Sequence, residues 1–300
     1  MIKIGVTSVE QMIDAIQDFF SLSDPNVRNV LLGTILLSTS SSMIGTLAFL
    51  KRKTLINDAM AHAALPGICL AFLITGEKHT HWLMVGAFIT SWLASIVIHK
   101  ITTHSKIKQD TAIALVSSVA FGLGNFLLSI LQHSSRSNQG GLKLFLLGSA
   151  ATLLKEDIFL LFLLSLLIIV VLLFCLKRFV IIAFDSLFAK SIGIPVKQMD
   201  YLFTSLLVLA IIIGIQAVGI VLMSAMLITP AATARFWTSN VNYIILFSVL
   251  ISLFASLVGT CISYMYASMP TGPWIVLMLS LLAYGSFFFS WYYRMFKKNK

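Results

Sequence analysis

Three hundred residues that are 58% apolar and only 11% charged, with a mean hydropathy of +0.96, do not fit a water-soluble globule, in which about a quarter of residues are charged. The composition places the chain in a bilayer and leaves too little polar sequence for a second soluble domain, a nucleotide-binding fold or a disulfide-stapled ectodomain. The net charge of +10 does not indicate nucleic acid, because the basic residues gather at the ends of apolar runs, as cytoplasmic membrane loops do.

The first 25 residues carry Glu10, Asp14, Asp18 and Asp24 and lack the basic start and apolar core of a cleavable signal. Val9, Ile13, Ile16 and Phe20 recur at helical spacing, which predicts an amphipathic N-terminal extension over 1–25. A membrane-embedded domain over 26–296 and a basic tail over 297–300 follow. A crossing needs about 20 apolar residues, and the windows are 27–50, 58–75, 82–101, 111–131, 158–176, 201–236, 243–267 and 274–293. The expected fold is therefore all-α, a polytopic transmembrane bundle of eight to nine spans. The 201–236 window is long enough for two short crossings or for one crossing and a broken helix, and Gly214, Gly219 and Pro230 interrupt it. Residues 142–154 are too few to span and read as a re-entrant or interfacial piece.

Lys51 to Lys53, Lys106 with Lys108, the 177–197 segment and the C-terminus are placed inside by the positive-inside rule. A nine-span arrangement with the N-terminus outside agrees with every basic cluster. Cys69, Cys175 and Cys261 sit singly in apolar runs and read as packing residues.

Asp58 and His62 are four residues apart in N-D-A-M-A-H-A-A-L-P-G, so they share a helix face. A carboxylate and an imidazole together suit zinc, manganese or iron(II). Two donors make a poor site, but a twofold dimer with these helices at its axis would supply four. The bland alternative is that Asp58 caps the helix and His62 is hydrogen-bonded in the bundle. Pro66 and Gly67 follow on the same stretch, and small neighbours would leave a passage open.

Glu77, His79 and His81 could collect a metal at the outer entrance, although exposed loop histidines usually do nothing. F-D-S-L-F-A-K-S-I-G-I-P, from Phe184 to Pro195, has helix-forming content that ends at Gly193. It can lie along the membrane face with Phe184, Leu187 and Phe188 turned to a partner or to lipid. V-G-I-V-L-M-S-A-M-L-I-T-P-A-A-T-A-R, from Val218 to Arg235, reads either as a hinge or pathway wall around Pro230 or as a kinked packing helix. Met223 and Met226 are better explained as core filling than as metal ligands.

No phosphate-binding loop, zinc-protease motif or hydrolase elbow occurs in the sequence. Asp58 is the one acid placed well inside a span, fewer than a proton- or sodium-driven carrier would ordinarily use.

These segments, in this order and over about residues 29–293, resemble the membrane permease of bacterial ABC importers for zinc, manganese or iron. The pieces that carry the resemblance are D-A-M-A-H-A-A-L-P-G, K-I-K-Q-D-T-A-I, F-D-S-L-F-A-K-S-I-G-I, V-G-I-V-L-M-S-A-M-L-I-T-P-A-A-T-A-R and P-T-G-P. The resemblance implies a type II, cobalamin-importer-like permease in the cytoplasmic (inner) membrane, paired with a second permease copy or paralogue. It also implies two cytoplasmic ATPase subunits and a periplasmic or surface metal-binding protein.

By the same resemblance Asp58 and His62 line the path, and a coupling helix near 184–194 docks into the ATPase through Phe184, Asp185, Leu187, Phe188, Ala189 and Gly193. Pro66, Gly67, Pro230 and Arg235 belong to the pathway or its hinge. No cofactor is expected to be bound permanently: the metal ion is cargo, and ATP is hydrolysed on the partner. The competing classes are a stand-alone secondary carrier or channel and a membrane scaffold.

Overall fold

The computed structural model describes residues 17–19, 21, 25–76, 79–133, 155–265 and 270–298. The expected helix over most of 1–25 and the re-entrant piece at 142–154 lie outside the described residues, as does Glu77. Helices α1 (Pro25–Leu50), α2 (Thr54–Thr75), α3 (Thr80–His104), α4 (Gln109–His133) and α5 (Lys155–Phe184) precede a short α6 (Ser186–Ser191). They are followed by α7 (Val196–Val218), α8 (Ile220–Trp237), α9 (Val241–Met265) and α10 (Thr271–Lys298).

Among the described residues, eight helices are long and apolar enough to cross a membrane. The long 201–236 window divides at one residue, Gly219, whose φ of 96° and ψ of 165° form a backbone conformation that L side chains avoid. The chain reverses there, so that Met223 of α8 meets Gly214 of α7. Neither Gly214 nor Pro230 breaks its helix.

Helix α8 then runs parallel to α10. Val218, the last residue of α7, lies against Gly272 at the start of α10. At the other end Phe236 meets Phe287 and Trp237 stacks on Phe289. Helix α8 is 18 residues long and is not among the eight candidate spans found in the described residues.

Helices α1 and α9 pack antiparallel along a seam of hydroxyls. Thr46 Oγ1 donates to Ser248 Oγ at 2.9 Å, Ser252 Oγ donates to the Ser38 carbonyl at 3.1 Å, and Thr34 and Thr260 meet at 3.4 Å. Small side chains permit this approach where lipid offers no hydrophobic drive for helix association, and each such hydrogen bond is worth about 0.6 kcal/mol.

Helices α2 and α3 touch backbone to backbone at Gly67 and Gly86, where a Cβ on either glycine would collide with the other's carbonyl. Ser91 on α3 donates to the Met60 carbonyl on α2 at 2.9 Å. Helix α7 is polar in its first turns and is buried continuously from Ala210 to Gln216, which puts that stretch inside the bundle.

Candidate functional site: an acid and an imidazole on α2

Helix α2 begins at Thr54, with Lys53 in the capping position, because the turn after α1 is only three residues long. Asp58 therefore stands one turn inside the helix, and the capping alternative does not hold. Asp58 and His62 face the same way, with Oδ2 and Nε2 3.7 Å apart and side chains 55% and 24% exposed. Ser224 Oγ, from α8, donates to Asp58 Oδ1 at 3.1 Å.

Phe121 of α4 sets its ring edge to face with His62 at a centroid distance of 5.1 Å, which orients the imidazole without occupying its nitrogens. The Nδ1 atom of His62 is buried and has no hydrogen-bond partner. The arrangement is an anion with lone pairs to spare beside a ring nitrogen seeking a partner, at a junction of α2, α4 and α8. Among the described residues no group of three or more His, Cys, Asp or Glu side chains could hold an ion, so Asp58 and His62 offer two donors and no third from such a side chain.

Pro66 and Gly67 are buried in the α2–α3 contact. Pro230 is buried within α8, and Arg235 near that helix's end donates to the Ser239 carbonyl at 3.3 Å. Met223 and Met226 are fully buried, in keeping with core filling. His79 precedes α3, and His81 lies exposed in its first turn.

At the basic end of the bundle, Asp185 caps α6 by accepting hydrogen bonds from the Leu187 and Phe188 amides, both at 2.9 Å. The predicted helix is thus Ser186–Ser191, and Phe184 is the last residue of α5 rather than part of it. Ala189 is buried with Ile182 and Val196, and Gly193 turns the chain at φ 81°. Phe184, Leu187, Phe188 and Ile192 are left outside as an exposed apolar face.

Sequence reasoning treats Lys51 as one of three loop charges, yet the structure buries it. Its Nζ donates to Asp200 Oδ1 at 2.7 Å with the lysine side chain only 4% exposed, and it lies 4.4 Å from the Phe203 ring centroid. Burial pushes the Lys51 ammonium below its usual pKa, against the upward pull of the Asp200 hydrogen bond and charge. Ser224, Phe121 and the Lys51–Asp200 pair escape sequence reading because each joins positions far apart in the chain.

The fold, a multi-pass bundle of apolar helices, is that of a membrane permease, a translocation subunit. The ABC 3 transport family model matches residues 23–290, and the chain belongs to that family. It is 42% identical over 267 residues to the manganese transport system membrane protein MntC of Bacillus subtilis (strain 168), covering 88% of this chain and 61% of that protein. It is 36% identical over 261 residues to the zinc transport system membrane protein TroC of Treponema pallidum (strain Nichols), covering 87% of this chain and 88% of that one. Among solved structures, PsaBC from Streptococcus pneumoniae in complex with Fab superimposes with a TM-score of 0.79 at 31% identity, over 93% of this chain and 95% of that one. The spans and these relatives place the chain in a bacterial inner membrane as a multi-pass protein.

Proposed function

We propose that this chain is the membrane-spanning permease of an ATP-binding cassette importer that carries a divalent transition metal ion, manganese or zinc, into the bacterial cytoplasm. The observation that carries the reading is Asp58 with His62, an acid and an imidazole one turn apart inside an apolar helix and reached by Ser224 from α8. Ionisable groups at membrane depth are costly, and where they occur they mark substrate or ion paths. Oxygen and nitrogen donors accept iron(II) as well, and the names of the relatives favour the other two metals.

A 55% exposed carboxylate inside a membrane supports pairing with a second copy or paralogue, which would bring the donors to four. A path needs ligands that hold the ion weakly enough to release it. In this reading Pro66, Gly67, Pro230 and Arg235 belong to helices that shift as the path opens, and His79 and His81 stand where a metal-binding protein delivers the ion.

Energy enters from a separate ATPase docked on α6, with Phe184, Leu187 and Phe188 as the apolar contacts and Asp185, Ala189 and Gly193 shaping the helix that presents them. The sequence holds no phosphate loop, and in this reading ATP is hydrolysed on the partner subunit. The functional unit is the domain over 26–296, with 1–25 an extension and 297–300 a basic tail.

Co-reconstitution with the ATPase in proteoliposomes tests this. Isotopic manganese or zinc is expected to accumulate only with ATP and the ATPase present. ATP-independent flux through the chain alone would replace the reading with a secondary carrier or channel.

A further inference from the structure

Ile56 and Met60 lie on the face of α2 turned away from Asp58, since two residues of helix are about 200° of rotation, and Lys53 stands at that helix's start. That far face, with α3 and α7, walls a cavity of about 260 Å³. Trp92 and Thr102 both line it, and ten residues of α3 make its reach about 15 Å.

Its mouth lies at the basic end of the bundle, where Lys53, His99, Gln109 and Lys197 contribute from four different helix ends. Its depth is apolar, with Met60, Ile96 and Leu207 beside the half-buried Trp92. Asp200 also lines the mouth, but Lys51 engages its carboxylate at 2.7 Å, whereas Lys53 stands 4.0 Å away. Lys53 and Lys197 therefore leave the mouth positive. A cationic rim over an apolar slot, with amphipathic Trp92 and Tyr201 in its wall, matches an anion that carries a hydrocarbon chain.

We propose that this cavity binds the phosphate headgroup of an anionic glycerophospholipid from the cytoplasmic leaflet, with Lys53 and Lys197 as its counter-charges. The shared chemistry is phosphate, and the apolar depth selects a lipid over the free ion. The occupant braces α2 and α3 against α7, the helix that follows α6 directly, and it does so on the side of α2 remote from Asp58. The site is independent of which ion the permease carries.

The full-length chain, purified in detergent and stripped of lipid, is titrated with phosphatidylglycerol, phosphatidylcholine of the same chain length, and inorganic phosphate. Retention is read by native mass spectrometry and stability by thermal shift. Phosphatidylglycerol is expected to stay bound and raise the melting temperature, and the other two are not.

The double variant K53Q/K197Q is expected to keep the lipid-free melting temperature and bind phosphatidylglycerol about 30-fold more weakly, about fivefold for each lysine near the membrane surface. K106Q/K108Q removes the same charge from residues outside the cavity and is expected to bind as the wild type does. Equal binding of phosphatidylcholine, an equal loss in both double variants, or unchanged binding by K53Q/K197Q would overturn the proposal. Stabilisation by inorganic phosphate at the same concentration would overturn the lipid assignment in favour of a free-anion site.

Discussion

Two pairs of polar side chains, one anchored in the turn after α1 and one on α2, are built in opposite ways. Lys51 and Asp200 are sealed, 2.7 Å apart, with the lysine side chain 4% exposed and flanked by the rings of Phe203 and Phe179. Asp58 and His62 are open, 3.7 Å apart, with one ring nitrogen of the histidine unpartnered. A buried charge that has lost its water needs its partner close, so the first pair is spent on holding α1 to α7. The second pair keeps its lone pairs and can give them to a third party. Similar chemical groups a few residues apart thus separate into a fastening and a ligand set, and geometry decides which is which.

Breaking each pair should give opposite phenotypes. The largest effect is expected from Asp58→Asn, which keeps the shape of the side chain and an acceptor for Ser224 but removes the charge. Metal uptake should fall by more than the roughly 10- to 100-fold that loss of a ligand's supporting partner costs, with thermal stability unchanged. Leu187→Asp should come next: a carboxylate in the exposed face of α6 should release the ATPase in pull-down assays and abolish ATP-driven uptake, while the permease keeps its melting temperature.

Asp200→Asn reverses the pattern. It leaves the Lys51 ammonium buried beside a neutral amide whose oxygen still accepts its hydrogen bond, and should cost about 1 kcal/mol of stability, the difference between a hydrogen bond to a charged acceptor and one to a neutral acceptor. It should alter the metal preference of the residual uptake not at all, as competition between manganese and zinc would show. The smallest effect is expected from Ser224→Ala, where loss of the hydrogen bond to Asp58 should weaken apparent metal affinity by about 10-fold or less.

The crossings were legible because a bilayer demands long apolar runs, and that demand is written in composition. The i, i+4 spacing of Asp58 and His62 was legible for the same reason, since helix periodicity is local. Where the 201–236 window divides was not. Gly214, Gly219 and Pro230 all qualify as interruptions, yet only Gly219 adopts a positive φ. Gly214 instead leaves room for Met223, and a proline within a membrane helix can be accommodated by neighbouring groups.

Lys51 misled in the other direction. A run of three basic residues after an apolar segment reads as solvated loop, and its burial depends on Asp200 and Phe203, which only the fold brings near. Ser224 was visible as a hydroxyl in an apolar motif, but nothing in the chain's order links it to a residue 166 positions earlier.

The central claim is that Asp58 and His62 form one copy's share of the metal's path. Its most direct test is uptake of isotopic manganese and zinc by the assembled, reconstituted transporter carrying Asp58→Ala and His62→Ala together. The account predicts background uptake with the ATPase still bound and the complex intact. Uptake at the wild-type rate would contradict it.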